Sequence, residues 1–227
     1  MEHTISGVGV LDKSLAVLCA VEGGVSTLAE LVHATGFSRA TTHRLARALE
    51  VHGLLAREDS GGWILGWRLI GLGREAAEGQ PLARAARRPL ERLRDETGES
   101  VQLYVRDGEN RVCIESLESP HGLRTIVAVG AVHPMDKGSA GKIFRSEPTV
   151  ARRGWAQSVG EREPGVASVS APVRDSSGQV IAAVSVSGPI ERTTRHPGKR
   201  YAANVVRAAR EVEQAAHLGP QPAAAKR

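Results

Sequence analysis

Apolar residues recur at helical spacing over three short stretches near the start of the chain, and a turn signal separates each from the next. Leu11, Leu15, Leu18 and Cys19 mark a first helix within Leu11–Val21. A second runs from Thr27 to Ala34 and ends at Gly36, whose conformational freedom lets the next helix cross it at a steep angle. The third follows Ser38, whose hydroxyl suits an N-cap. At about 100° per residue its Thr42, Leu45, Ala46 and Leu49 share one face, while Ala40, His43, Arg44 and Arg47 share the other, with Arg39 at the edge. One face packs and the other is cationic. The period then shortens: Leu54–Arg57 and Trp63–Leu65 flank Glu58–Gly62 and read as a hairpin, with Trp63 as the core aromatic that closes it. Three helices and a hairpin within residues 7–67 predict a winged helix-turn-helix.

Helical spacing returns at Leu69, Ile70 and Leu72, breaks at Pro81, and resumes through Leu82, Ala86, Leu90 and Leu93 to Thr97. Residues 68–97 therefore read as a helical linker, with Arg84, Arg87, Arg88, Arg92 and Arg94 on a solvated face paired with Glu91, Asp95 and Glu96. From Gly98 the pattern alternates. Val101–Arg106 and Arg111–Ser116 read as strands, Thr125–Val129 as a third, and Val166–Val173 with Gln179–Ser187 as a hairpin around Arg174–Gly178, before a closing helix at Tyr201–Ala216. The expected fold class is α+β: an N-terminal winged helix-turn-helix, the linker, and an antiparallel-sheet domain over 98–216. Residues 217–227 read as a disordered tail.

Charge sharpens the first domain's purpose. The net charge is +5 and the pI about 9.7, which suits a polyanionic partner. Yet residues 1–66 carry Lys13, Arg39, Arg44, Arg47 and Arg57 against Glu2, Asp12, Glu22, Glu30, Glu50, Glu58 and Asp59, so only the third helix presents a basic face. That favours localised docking into a DNA groove, where arginine bonds guanine edges or phosphates. The expected DNA contacts are Ser38, Arg39, Ala40, Thr41, His43, Arg44 and Arg47 from the helix, and Arg57, Gly61 and Gly62 from the hairpin. The same helix alone also fits an ordinary amphipathic element with solvated arginines; the hairpin after it tilts the balance.

Aromatics are 3% of the chain, so its cores must be built largely from Ala, Val and Leu. Cys19 and Cys113 lie in apolar periodic segments and read as buried reduced thiols, which with the lack of a secretory or membrane-length apolar run predicts a cytoplasmic protein with no membrane partner. His121, His133 and His196 lack metal-ligand spacing, and no nucleophile-elbow pattern occurs. Gly138–Lys142 is too short for a phosphate loop, and Ile143 stands where a hydroxyl residue is needed. No catalytic residue, metal or cofactor is expected. The rival readings are an enzyme with an appended DNA-binding domain and a DNA-binding protein with no ligand.

The winged helix is followed by Gly138-Ser139-Ala140-Gly141-Lys142, Arg153-Gly154-Trp155-Ala156, Glu163-Pro164-Gly165-Val166, Ser170-Ala171-Pro172-Val173 and Val184-Ser185-Val186-Ser187-Gly188-Pro189. In that order they resemble the IclR family of bacterial transcription regulators, from Gly7 to about Ala216. Gly98–Tyr104 and Arg152–Pro197 look most similar to an actinobacterial branch that regulates amino-acid biosynthesis, leucine genes in particular. The resemblance implies a homodimeric or homotetrameric repressor or activator on a double-stranded DNA operator, with a GAF-like C-terminal domain that binds a small-molecule effector, an amino acid or organic acid.

It also implies a pocket between the Gly-Ser-Ala loop and the hairpin strands, drawing on Gly138, Ser139, Ala140, Ser158, Ser168, Ser185 and Ser187. Ser168 stands where many members have Cys and Ser158 where many have an acidic residue, so the expected pocket is rich in hydroxyls, lacks a carboxylate and suits an anionic acid. The alternation of Ser185 and Ser187 with Val184 and Val186 equally fits a plain two-faced strand. The stretch from Ile143 to Arg152 is short where most relatives place one or two helices, which implies loss of part of the pocket wall or of a subunit contact.

Overall fold

The computed structural model describes residues 6–216, so the tail expected over 217–227 lies outside the described residues. The chain divides into two compact units after Ala76.

The first unit holds α1 (Gly9–Glu22), α2 (Leu28–Thr35), α3 (Arg39–Val51), β1 (Leu55–Arg57) and β2 (Trp63–Leu65). A capping box starts α2: the Thr27 hydroxyl accepts the Glu30 N–H at 3.3 Å, and the Glu30 carboxylate accepts the Thr27 N–H at 2.9 Å. Gly36 then turns the chain with φ of 70°, a conformation that favours glycine. Ser38 caps α3 by accepting the Thr41 N–H at 3.3 Å. The core is Val17, Val21, Leu31, Leu45, Ala46, Leu49, Leu55 and Trp63, and the Trp63 N–H holds the hairpin to the Ser26 carbonyl at 2.8 Å.

The face that α1 buries differs from expectation. Val17 and Val21 pack inward, whereas Leu11 and Leu15 are about half exposed and Cys19 is only partly covered. Both stripes have helical spacing, and the second lies about 120° around the helix from the first. Periodicity identifies a helix here but does not choose between two apolar sides.

The helix α4 (Arg68–Glu78) buries no residue and spans the division between the units. The second unit continues with α5 (Pro81–Thr97), β3 (Ser100–Asp107), β4 (Asn110–Leu117), β5 (Val132–Pro134), α6 (Gly138–Phe144), α7 (Pro148–Arg153), β6 (Ala156–Val159), β7 (Val166–Arg174), β8 (Val180–Pro189), α8 (Ile190–Thr193) and α9 (Pro197–Ala215). Its six strands form one antiparallel sheet in the order β5-β4-β3-β8-β7-β6.

The sheet has two unlike faces because its central strands alternate. Ala182, Val184 and Val186 of β8 join Val101, Leu103, Val169, Ala171 and Val173 on the face covered by Leu90 and Leu93 of α5 and by Val205 and Val212 of α9. Opposite pairs across an antiparallel ladder share a face. Register therefore groups Ser158, Ser168, Ser187 and Ser100 in one cross-strand row, and Ser170, Ser185 and Gln102 in the next. Beyond these polar rows, Tyr104, Cys113 and Ala183 pack with Ala140, Ile143 and Phe144 of α6.

Several expectations change. Residues 68–97 are not one linker, because α5 buries Ala83, Ala86, Leu90 and Leu93. Among the described residues three of its five arginines pair, Arg87 with Glu91 and Glu115, Arg94 with Asp95, and Arg92 with Glu211 at 2.6 Å, while Glu96 pairs with Arg207 on α9. Thr125–Val129 is not a strand: Thr125 and Val127 are buried and Ile126 and Val129 exposed, yet the outer edge of β4 pairs with β5 instead. The Gly-Ser-Ala segment is the first turn of α6, not a loop, and the short segment after Ile143 still holds the six-residue α7. The four-residue β6 is too short to declare a period.

Gly141 sets how closely α6 approaches the sheet. A β-carbon there would fall inside the van der Waals envelope of the Met135 carbonyl and 3.1 Å from the Arg111 guanidinium. Gly141→Ala is expected to destabilise the protein by about 1–3 kcal/mol, the usual range for an overpacked contact. Urea denaturation checks this, and an unchanged midpoint would contradict the close approach.

Candidate functional site

On α3 the structure buries Thr42, Leu45, Ala46 and Leu49 and leaves Arg39, Ala40, His43, Arg44 and Arg47 exposed. The Thr41 hydroxyl lies 3.0 Å from Ser38 Oγ, so both serve the cap. The His43 ring meets Trp63 edge-on at 6.1 Å between centroids. Among the described residues Arg39 and Arg44 form no ion pair, whereas Arg47 Nη1 lies 2.8 Å from Glu50 Oε1.

The hairpin residues divide. Arg57 stacks on Trp63, 3.5 Å from the ring centroid, donates to the Gly61 carbonyl, and has its Nε 3.5 Å from Glu50. Gly61 is exposed with φ of 84°. Gly62 corrects expectation: it is buried, and a β-carbon there would sit 3.3 Å from Ser26 Cβ, so it packs the hairpin base and offers no surface to a partner. The sequence reading passed over Glu50, whose carboxylate also accepts the Trp63 indole N–H at 3.3 Å. Burial works to raise its pKa, but the hydrogen bonds from Arg47 and Trp63 and the charges of Arg47 and Arg57 outweigh that and hold it below the usual carboxylate value. Its spacing, three residues after Arg47 on a helix, was the available signal.

In the second unit, Gly138, Ser139, Ala140, Ser158, Ser168, Ser185 and Ser187 all line one cavity between α6 and the serine rows of the sheet. Its volume is about 20 Å³, enough for about one water molecule. Ser139 Oγ lies 2.7 Å from both Ser168 Oγ and Ser170 Oγ, which fixes the first turn of α6 over the strands. Ser187 donates to Gln102 Oε1 at 3.1 Å.

The remaining wall comes from Gln102, Tyr104, Arg111, Arg162, Glu163 and Val166, none of them anticipated. Glu163 corrects the expectation of a wall free of carboxylates, and neighbouring Glu161 accepts the Gly138 N–H at 3.2 Å and pairs with Lys142. Arg111 is the unusual member. It is 2% exposed, its guanidinium lies 5.5 Å from the Tyr104 ring centroid, and it donates to the Pro134 carbonyl. Its Nε has no partner, and among the described residues no carboxylate forms an ion pair with it. Burial lowers its pKa. Gln102 Nε2, on the same cavity, is likewise buried and unpartnered. Buried polar atoms are normally satisfied, so two open donors on one wall point at a missing acceptor.

His133 on β5 stands at the edge of this group, 6.1 Å from the Tyr104 ring and 3.5 Å from Arg162 Nη1. Burial first, then the charges of Arg162 and Arg111, push its pKa from the usual 6.5 down to about 4. Between those values the unfolded chain takes up a proton that the folded chain refuses. Stability is therefore expected to fall as pH drops from about 6.5 to about 4. His133→Gln should flatten that part of the profile; urea denaturation of both proteins across the window checks it, and parallel profiles would contradict it.

Comparison with known proteins covers both units. The IclR helix-turn-helix domain matches residues 10–59, and the bacterial transcriptional regulator IclR C-terminal domain matches 74–149 and 148–214, two pieces that meet at the start of α7, within the shortened segment. The glycerol operon regulatory protein of Streptomyces griseus is 27% identical over 216 residues, 80% of this chain and 85% of that one. The HTH-type transcriptional regulator KipR of Bacillus subtilis is 26% identical over 195 residues, 71% of this chain and 78% of that one. An IclR transcriptional regulator from Alicyclobacillus acidocaldarius shares the fold, with a TM-score of 0.80 at 23% identity over 92% of this chain and 99% of that one. With the winged helix-turn-helix and the sheet domain both matched in order, the chain belongs to the IclR family, whose members are DNA-binding transcriptional regulators and not enzymes.

Proposed function

We propose that α3 reads an operator in the major groove and that the cavity beside α6 takes a small anionic effector, an organic or amino acid. Arg111 carries this reading. A buried guanidinium with no contact ion pair, favoured only by the more distant charge of Asp136, is costly, and a ligand carboxylate would supply a partner through charge-assisted hydrogen bonds, with Gln102 Nε2 as a second donor. The cavity of about 20 Å³ holds little more than a water, so in this reading a larger ligand is admitted by outward movement of the turn at 160–165, whose exposed Glu163 stands in the wall. A ligand that favours the opened form shifts the balance between DNA-competent and incompetent arrangements, by a coupling typically of about 1–3 kcal/mol.

A single recognition helix reads too few base pairs to select a site, so the working form in this reading is a homodimer, or a homotetramer of two dimers, on a pseudo-palindromic operator. The apolar side chains left exposed at Leu11, Leu15, Trp67 and Ile70 support such pairing. In this reading the protein works in the cytoplasm, where its DNA target is; among the described residues no helix is long and apolar enough to cross a membrane. The genes proposed are those of amino-acid biosynthesis, leucine genes in particular, on the strength of the resemblance in Gly98–Tyr104 and Arg152–Pro197. A carbon-source operon is the second reading, favoured by the Streptomyces griseus relative named for the glycerol operon.

Footprinting over the protein's own upstream region should show two half-sites about one helical turn or a multiple apart. On that operator Arg44→Ala is expected to weaken binding by about 1–3 kcal/mol if Arg44 bonds a base edge, against a uniform loss on all sequences if it holds a phosphate. Unchanged operator affinity would remove α3 from the reading role.

Arg111→Met separates the effector role from a structural one. Replacing an unpaired buried charge by an apolar side chain of similar length should leave stability unchanged or raised. Calorimetric titration of parent and variant with a panel of organic and amino acids should show binding in the parent alone. A variant that binds the same acid equally well places the ligand elsewhere.

A further inference from the structure

Glu50 stands out at the surface proposed to meet DNA. It lies on the same side of α3 as His43 and Arg47, and it is the acidic group on a face otherwise neutral or cationic. A carboxylate beside phosphates opposes binding, so its presence needs a compensating role. Its partners indicate one. Oε1 lies 2.8 Å from Arg47 Nη1, and Oε2 lies 3.5 Å from Arg57 Nε and accepts the Trp63 indole N–H at 3.3 Å. Arg57 in turn is clamped on the Trp63 ring and on the Gly61 carbonyl. The carboxylate thus ties the recognition helix to both strands of the hairpin and holds two arginines at once.

We propose that Glu50 is a specificity-determining residue of the DNA interface, one that withholds Arg47 and Arg57 from phosphates on arbitrary sequence and releases Arg47 only to a matching base edge. On arbitrary DNA, moving Arg47 from Glu50 to a phosphate exchanges one charge-assisted contact for another and turns a less neutralised carboxylate toward the backbone. On the operator a guanine edge offers Arg47 two parallel hydrogen bonds, which tips the exchange. Arg57 and the Trp63 N–H stay with Glu50 when Arg47 leaves, so the carboxylate is never stranded. The inference rests on α3 being the reading helix.

The test is the salt dependence of binding by the full-length protein to two duplexes: one of random sequence, and one selected by the parent protein from a random pool. Glu50→Gln keeps an acceptor for the indole N–H and removes the charge. It is expected to raise random-duplex affinity about fivefold at physiological salt, with a log–log salt slope steeper by about 0.9 for each arginine freed, and so to lower the selected-to-random ratio. Arg47→Ala, at an exposed position, provides a second reading should the first variant fold poorly. It is expected to weaken the selected complex several-fold and leave the random-duplex slope unchanged. An unchanged ratio and slope in Glu50→Gln, or a random-duplex slope shallower by about 0.9 in Arg47→Ala, overturns the proposal. Should Arg44→Ala have no effect on the selected duplex, the reading helix itself is misassigned; should Arg44→Ala weaken it while the Glu50→Gln ratio holds, only the role of Glu50 fails.

Discussion

The second unit depends on one constraint, the alternation of β8 from Ala182 to Ser187. From Ala182 to Pro189 the strand is buried on both faces, and it lies between β3 and β7 in the middle of the sheet. Val184 and Val186 can face only one way and Ser185 and Ser187 only the other. Val184 and Val186 hold α5 and α9 to one face, while Ser185 and Ser187 floor the cavity on the opposite face. A slip of one residue in register would exchange these sets, driving hydroxyls against the helices and filling the cavity floor with methyl groups. Core and pocket are therefore specified by the same strand.

Two buried or half-buried charges then decide what each unit presents to a partner. Arg111 lies beneath the first turn of α6, where Gly138 and Gly141 leave room for its guanidinium, and it donates to a carbonyl but, among the described residues, forms no ion pair, feeling Asp136 through its charge alone. Glu50 is its opposite, a carboxylate with three donors gathered from a helix and a hairpin. The first is an incomplete set that a ligand completes. The second is a complete set from which one member can be withdrawn. Both follow from the rule that a desolvated charge needs partners in proportion to its burial.

Much of the first unit was legible because short-range chemistry governs it. Thr27 with Glu30, Gly36 and Ser38 are local signals whose effects reach no further than one helical turn, and they set where α2 begins and ends and where α3 begins. The hairpin is equally local, and Trp63 packs inside it. The same local grammar was insufficient for α1, where two apolar stripes compete, and for Gly62, whose burial depends on Ser26 across the fold. Thr125–Val129 has a strand's alternation but joins no ladder, and the strand that does pair on the outer edge of β4, over Asn110–Val112, is β5.

The chain's own order of residues determined the helix-turn-helix, the cationic face of α3 and the two-faced strands, since each is a matter of spacing along a single element; the serines of the cavity come from four elements, and only the family resemblance grouped them. Tertiary structure alone decided that α5 packs on the sheet and is no mere connector, that Arg111 and Arg162 join the serines in the cavity wall, and that Glu50, three residues after Arg47, also gathers Arg57 and Trp63. The physical reason is the same in each case. Burial and charge pairing depend on which residues distant in the chain come within a few ångströms, and periodicity carries no information about those distances.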